Sequence, residues 1–194
     1  VVGEIVTYEV EIDLKEGTTP DSKVAVSLPA GMAFYQFDPT NGLTLSSGVT
    51  TPDRTFDSDL NTDISTTATD PVFVPSDRSS FAIDFGNLVN ADTDDATPET
   101  VTVRYQAIVL NDAGNLQDDT FAPTPSFTYT AEGTTQTASV SDTADEVTLQ
   151  EPVVTLDKRA FVDSGTGTFV ENGSGDAGDE AYYSFTIAAP ASSP

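Results

Sequence analysis

The pattern that most restricts this chain is a period of two. In 100–110, TVTVRYQAIVL, the residues Val101, Val103, Tyr105, Ala107 and Val109 share one face. Thr102, Arg104 and Gln106 take the other, and Ile108 breaks the alternation. Near the start, Val6, Tyr8, Val10 and Ile12 alternate with Thr7, Glu9 and Glu11 in the same way. Successive side chains of an extended chain point to opposite faces, so both runs predict half-buried antiparallel strands. The run 100–110 is expected to be central, with Val103, Tyr105 and Val109 in the core. Shorter runs of the same kind lie at 23–28, 80–86, 125–131, 135–140, 145–149 and 152–157, separated by turn clusters such as LPAGM, DPTNG, NDAGN and AEGTT. No long stretch carries helical periodicity with caps. The pattern predicts an all-β fold, an immunoglobulin-like antiparallel β-sandwich. The polar stretch 50–79 is weakly patterned and reads as a long excursion.

The chain also restarts itself. GEIVTYEVEI at 3–12 aligns without a gap with GDEAYYSFTI at 178–187, pairing Gly3 with Gly178, Tyr8 with Tyr183 and Ile12 with Ile187. Glu4 and Asp179 place an acid beside each leading glycine. Repetition at a fixed offset marks an array, and an offset this long makes each repeat a whole domain. The boundary is placed near Gln150-Glu151-Pro152. Residues 1–150 then form one Ig-like repeat lacking its own opening strand, and 151–194 supply the opening strands of the next repeat. Tyr8/Tyr183, Val10/Phe185 and Ile12/Ile187 are expected to face inward in equivalent strands.

Composition narrows the function. Acidic residues number 32 against 7 basic ones, a net charge of −25, with no histidine and no cysteine. Such a surface repels nucleic acid and anionic membranes, attracts divalent cations, and gains from the screening that salt provides. Without cysteine there is no disulfide, zinc–thiolate site or thiol nucleophile, and without histidine the commonest general base is missing. No apolar run approaches the roughly 18 residues that a membrane span needs. A carboxylate pair of the glycosidase kind is the remaining catalytic option, and with so many acids its occurrence carries no information. No catalytic or phosphate-cradling motif is present, and the chain reads as non-enzymatic.

The string Gly3-Glu4-Ile5-Val6-Thr7-Tyr8, followed by Leu28-Pro29-Ala30-Gly31, resembles the opening of conserved-repeat domains in large bacterial surface proteins. These are Ig-like repeats of the isopeptide-forming fimbrial or adhesin type. Phe85-Gly86-Asn87-Leu88, the stretch Asn90 to Asp94 and the run Val101 to Leu110 are similar to the middle of that repeat. Pro152 to Lys158 and Gly178-Asp179-Glu180 resemble the start of the next. The resemblance implies an exported, cell-surface tandem-repeat protein acting as adhesin, stalk or matrix fibre. Its partners would be copies of itself or adjacent repeats joined through strand pairing, with a surface glycan or matrix component beyond them. The family usually places an acid shortly before Leu-Pro; Val26 and Ser27 stand there, so no role of that acid carries over. The family name also suggests a Lys–Asn/Asp isopeptide bond. Lys158 sits where such a lysine is expected, but its acceptor would lie beyond Pro194, and a surface lysine is the plainer reading.

Two binding chemistries remain. In NADTDDATPE, 90–99, Asn90, Asp92 and Asp94 at alternate positions, with Asp95 and Glu99, supply oxygen donors of the kind Ca²⁺ takes in sets of about six to eight. The spacing is not that of an EF-hand, and an Asx-rich turn between strands is the competing reading. Acidic clusters at 57–63, 117–119 and 172–180 are weaker candidates. The alternative function is a carbohydrate-binding β-sandwich module of a secreted protein. The chain has no Trp, so Tyr35, Tyr129 or Tyr182 would have to form its stacking platform.

Overall fold

A computed structural model of the chain describes residues 3–93, 98–116, 118–131, 137–141, 146–149, 155–163, 170–171 and 177–188. It has two compact units, Val1–Gln150 and Glu151–Pro194. The first unit opens with β1 (Ile5–Leu14), β2 (Gly17–Ser27), β3 (Met32–Phe37), β4 (Leu43–Leu45) and β5 (Val49–Thr50). A 3-10 turn (Leu60–Asp63) precedes β6 (Ile64–Ser65), β7 (Val72–Phe73), β8 (Ser80–Asn90) and β9 (Glu99–Val109). The unit ends with β10 (Thr120–Phe121), β11 (Thr124–Thr130), β12 (Thr137–Ser141) and β13 (Val147–Thr148). The second unit contains β14 (Thr155–Asp163), β15 (Val170–Glu171) and β16 (Glu180–Ala188). Among the described residues there is no α-helix.

The first unit is an immunoglobulin-like β-sandwich, antiparallel among the described strands except for the short parallel pair β6–β7. One sheet has the order β1-β9-β3, with β4 also beside β9; the other runs β12-β11-β2-β8-β7-β6, with β5 beside β8. Phe81 of the second sheet inserts among aromatic rings of the first, 5.3 Å from Phe34, 5.1 Å from Phe37 and 4.8 Å from Tyr105, centroid to centroid. Offset and edge-on contacts of this kind add to the area each ring buries. Around them Val24, Val26, Ile83, Phe85, Val101 and Val103 complete the core.

Strand β9 is central, as its alternation predicts, and Val103, Tyr105 and Val109 are all buried. Its neighbour β1 keeps register over ten residue pairs, from Ile5 opposite Ile108 to Leu14 opposite Glu99. Strand β8 extends past the 80–86 run because a bulge resets its phase. Phe81, Ile83 and Phe85 face the core before Gly86, and Leu88 after it. The pairing of β2 with β8 shifts on either side of Ser22, which lies opposite Gly86. Gly86 has φ +64°, and a Cβ there would come within 3.0 Å of the Asp53 side chain, so the bulge requires glycine.

The 50–79 excursion is held by short pairings and by side-chain bonds, two of them from Asn61. Asn61 donates from Nδ2 to the Phe37 carbonyl (2.9 Å) and accepts the Phe37 amide at Oδ1 (2.8 Å). That closes two backbone groups of β3 against the 3-10 turn. Arg54 adds an ion pair to Asp84 on β8 at 3.0 Å. Burial raises the Asp84 carboxyl, but the Arg54 hydrogen bond and charge and the Gly86 amide outweigh it and hold the group below its ordinary value.

Candidate assembly edge and acidic crossover

Strand β1 lies at the edge of its sheet, and no described strand covers its outer side. An amphipathic strand in that position presents a row of backbone donors and acceptors to any incoming strand. Between β1 and β11 of the facing sheet lies a cleft of about 400 Å³, lined by Val10, Ile12, Leu14, Pro125, Phe127 and Tyr129 among others. Phe127 and Tyr129 stack at 5.6 Å on this rim. Deeper along β1, Tyr8 is buried and stacked 5.4 Å from Tyr105. Its Oη is enclosed yet has no hydrogen-bond partner among the described residues. Burial pushes the Tyr8 hydroxyl above its ordinary pKa, and it raises Tyr105 further, with Tyr8 adding to the effect. The outward residues of β1 are acidic: Glu9, Glu11 and Asp13. Glu9 pairs with Arg104 across the ladder.

The second unit shows what a strand beside a β1-like sequence looks like. Strand β16 carries the restart, and β14 pairs with it antiparallel over nine positions, among them Leu156 opposite Ile187, Lys158 opposite Phe185 and Ala160 opposite Tyr183. Directly opposed residues share a face, so these six line one side of the sheet. The sequence predicts Tyr183, Phe185 and Ile187 inward. The structure leaves them exposed, as is Leu156 at 66 %, because no described layer packs on this sheet within its unit. Lys158 is also exposed, its Nζ 4.9 Å from the Tyr183 ring centroid and 5.8 Å from that of Phe185. The restart is therefore a strand in both units, with β9 as the neighbour of β1 and β14 as the neighbour of β16.

The candidate metal loop links the two sheets of the sandwich, from the end of β8 to the start of β9. It brings Asn90 and Glu99 together: Asn90 Nδ2 donates to Glu99 Oε2 at 3.0 Å, and both side chains are buried. Asn90 Oδ1 accepts the Asp92 amide at 3.1 Å, an Asx turn. Asp94 and Asp95 lie outside the described residues. Among the described residues no group of three or more acids is gathered closely enough to hold a metal ion. Asp92 and Glu99 do place carboxylate oxygens near one strand crossover, the donor type that Ca²⁺ prefers.

In the clusters at 57–63 and 117–119, carboxylates cap turns. Asp59 Oδ1 accepts the Asn61 amide, Asp57 Oδ1 that of Asp59, and Asp63 Oδ2 that of Asp57. Asp119 Oδ2 accepts the Leu116 amide. Gln117, Asn172 and Asp176 are outside the described residues. The three tyrosines offered as a sugar platform are dispersed: Tyr35 on β3, Tyr129 on β11 of the opposite sheet, and Tyr182 in the second unit. Sequence reasoning singled out Tyr129 by type but missed the cleft between β1 and β11 that it lines with Phe127, because the cleft depends on two strands distant in sequence.

No protein-family model matches the chain, and no curated protein does. Among solved structures it is similar to ACE19, the collagen-binding subdomain of the Enterococcus faecalis surface protein ACE. Identity is 18 % over 77 % of this chain and 92 % of that one, with a TM-score of 0.42. It is similar also to the full-length major pilin SpaD of Corynebacterium diphtheriae, at 14 % identity over 87 % of this chain and 37 % of that one, TM-score 0.41. A third is BcpA, the major pilin subunit of Bacillus cereus, at 8 % identity over 98 % of this chain and 54 % of that one, TM-score 0.42. No residue role transfers at these values.

Proposed function

We propose that this chain is a non-enzymatic structural repeat of an exported bacterial surface fibre or adhesin, joined head to tail with adjacent repeats. One observation carries the reading: residues 180–188 form a strand whose sequence repeats β1, in a small sheet whose apolar face is exposed. An exposed row of Leu156, Tyr183, Phe185 and Ile187 is costly in a lone module and useful where domains succeed one another. The acidic surface suits a saline exterior, and the distal partner is a surface glycan or matrix component. Immunogold labelling of native cells tests the reading. Label repeating along filaments outside the envelope is the expected result; label confined to the cell interior refutes it. Ca²⁺ bound through Asn90, Asp92, Asp94, Asp95 and Glu99 is proposed to stiffen the crossover. Calorimetry should show a higher melting temperature with Ca²⁺ than with chelator, and equal values dispose of that part. A sugar-binding module would instead use Phe127 and Tyr129 at the cleft, and binding on a glycan array that is lost in Tyr129→Ala would favour it.

A further inference from the structure

We infer that the polar excursion guards a sheet edge: Asn61 and Arg78 take up the outward backbone groups of β3 and bar a second copy of this chain from pairing its own β3 there. The guard is built from internal segments of the first unit and holds whatever the chain does on a cell. Among the described residues, β3 has β9 on one side and no strand on the other. The Leu110 amide donates to the Gly31 carbonyl and the Asp38 amide to the Arg104 carbonyl, so positions 31 and 38 bond toward β9. Antiparallel pairs alternate between bonded and unbonded, and the pairing slips once, between Phe34 and Gln36. Phe34 and Phe37 therefore turn both of their backbone groups away from β9. All four groups are taken. The Phe34 amide donates to the Arg78 carbonyl at 2.8 Å. Arg78 Nη1 donates to the Phe34 carbonyl at 3.3 Å and to the Tyr35 carbonyl at 2.8 Å. Asn61 closes the amide and carbonyl of Phe37.

Both caps are held in place. Asn61 Nδ2 donates its second proton to Asp59 Oδ1 at 2.8 Å, and that oxygen also accepts the Asn61 amide at 3.1 Å. The carboxamide thus has its oxygen and both protons committed. Arg78 is a non-glycine residue at φ +55°, a conformation that such residues keep only where the surroundings enforce it. Its amide donates to the Pro75 carbonyl at 2.9 Å. Next to it, Asp77 Oδ1 accepts the amide and the hydroxyl of Ser79 at 3.1 and 2.9 Å. The left-handed turn brings the carbonyl and the guanidinium of one residue to the same edge. An edge strand with free donors and acceptors is a template for another chain. Side-chain caps remove that template and, unlike an added strand, leave no new edge behind. Met32, Ala33, Phe34 and Phe37 of β3 are buried. Uncapped, two such strands would pair antiparallel about a two-fold axis and continue the sheet across both sandwiches. Two copies at −25 each repel, and salt screens that repulsion.

The test opens the edge in the full chain. Asn61→Ala removes one cap, and Arg78→Gly removes the other while suiting the positive φ. The chain has no cysteine, so a single substitution reports contact between copies on a silent background. Tyr35→Cys lies between the two caps at a position 43 % exposed. Lys15→Cys, in the exposed turn between β1 and β2, is the control. After oxidation at about 1 M salt, where screening acts within about 3 Å, Tyr35→Cys should give about tenfold more disulfide dimer with both caps removed than with both present. Lys15→Cys should show no such gain. Arg78→Lys alone, which keeps a donor beside the same carbonyls, should leave the Tyr35→Cys dimer at the capped level. If circular dichroism shows the double variant unfolded, Arg78→Gly alone, with the Asn61 clamp intact, should still raise the Tyr35→Cys dimer severalfold. No gain at Tyr35→Cys in a folded variant would overturn the inference. So would an equal gain at both cysteine positions, which marks general exposure of the chain.

Discussion

Replacing Tyr8 by Phe should stabilise the first unit. The ring is 8 % exposed and stacked on Tyr105, and its hydroxyl is enclosed without a partner among the described residues. An unsatisfied buried hydroxyl costs about 1–3 kcal/mol. Removing it leaves a void of about one atom and forfeits a few contacts of roughly 0.1–0.2 kcal/mol each. The net gain is about 1–2 kcal/mol, and at about 2–4 °C per kcal/mol for a chain of this size the melting temperature should rise by several degrees. The assay is thermal and urea unfolding of dilute protein at low salt. A pH series adds a second readout. Burial holds the folded phenol above its ordinary 10.0, so the unfolded chain ionises first. That share of stability is fully present below about pH 10 and is lost as pH rises through the folded value. The variant lacks this loss, so its advantage should widen above pH 10. A Tyr8→Phe protein destabilised by about 1 kcal/mol or more would show that the hydroxyl is satisfied and refute the reasoning.

Val103 is fully buried at the centre of β9, opposite Val10 and Leu43. Val103→Asp forfeits about 1.5–3 kcal/mol of burial and adds several for an unpaired core charge, enough to unfold a unit of ordinary stability; a wild-type urea midpoint would contradict this. Asn61→Ala leaves the Phe37 amide and carbonyl without their side-chain partners, and should cost about 2 kcal/mol at about 1 per bond, read as a lower urea midpoint with unchanged slope. Stability should rise from low salt to seawater strength as screening relieves the net charge of −25; a flat melting temperature would count against it.

The strands that sequence reveals are those whose burial alternates without interruption. In β1 and β9 every second residue turns inward, and period two suffices to place them. Strand β3 escapes because Met32, Ala33 and Phe34 are buried in succession and its pairing with β9 slips between Phe34 and Gln36. A bulged strand enclosed on both sides has no period to read. The Asn61 clamp is invisible for another reason: it joins residues 24 positions apart through side chain and backbone. At the crossover, the sequence singles out Asn90 and Glu99 by type. That they terminate strands in different sheets and bind each other depends on topology. Around 178–187 the alternation identifies which face is apolar, but not whether anything covers it.

The long-range pairing of β1 has a cost in time. Its partner is β9, with Ile5 meeting Ile108 and Leu14 meeting Glu99. At a synthesis rate of about 5–20 residues per second, the first strand waits on the order of several seconds before its native neighbour exists. During that interval an apolar face of Val6, Tyr8, Val10 and Ile12 is available to any other nascent copy. Contacts this distant in sequence also form slowly, because loop closure precedes their reward. Glu9, Glu11 and Asp13 then act as gatekeepers, repelling identical strands for as long as the unit is unfinished. The acidity of one strand's outer face thus guards the folding of the whole sandwich.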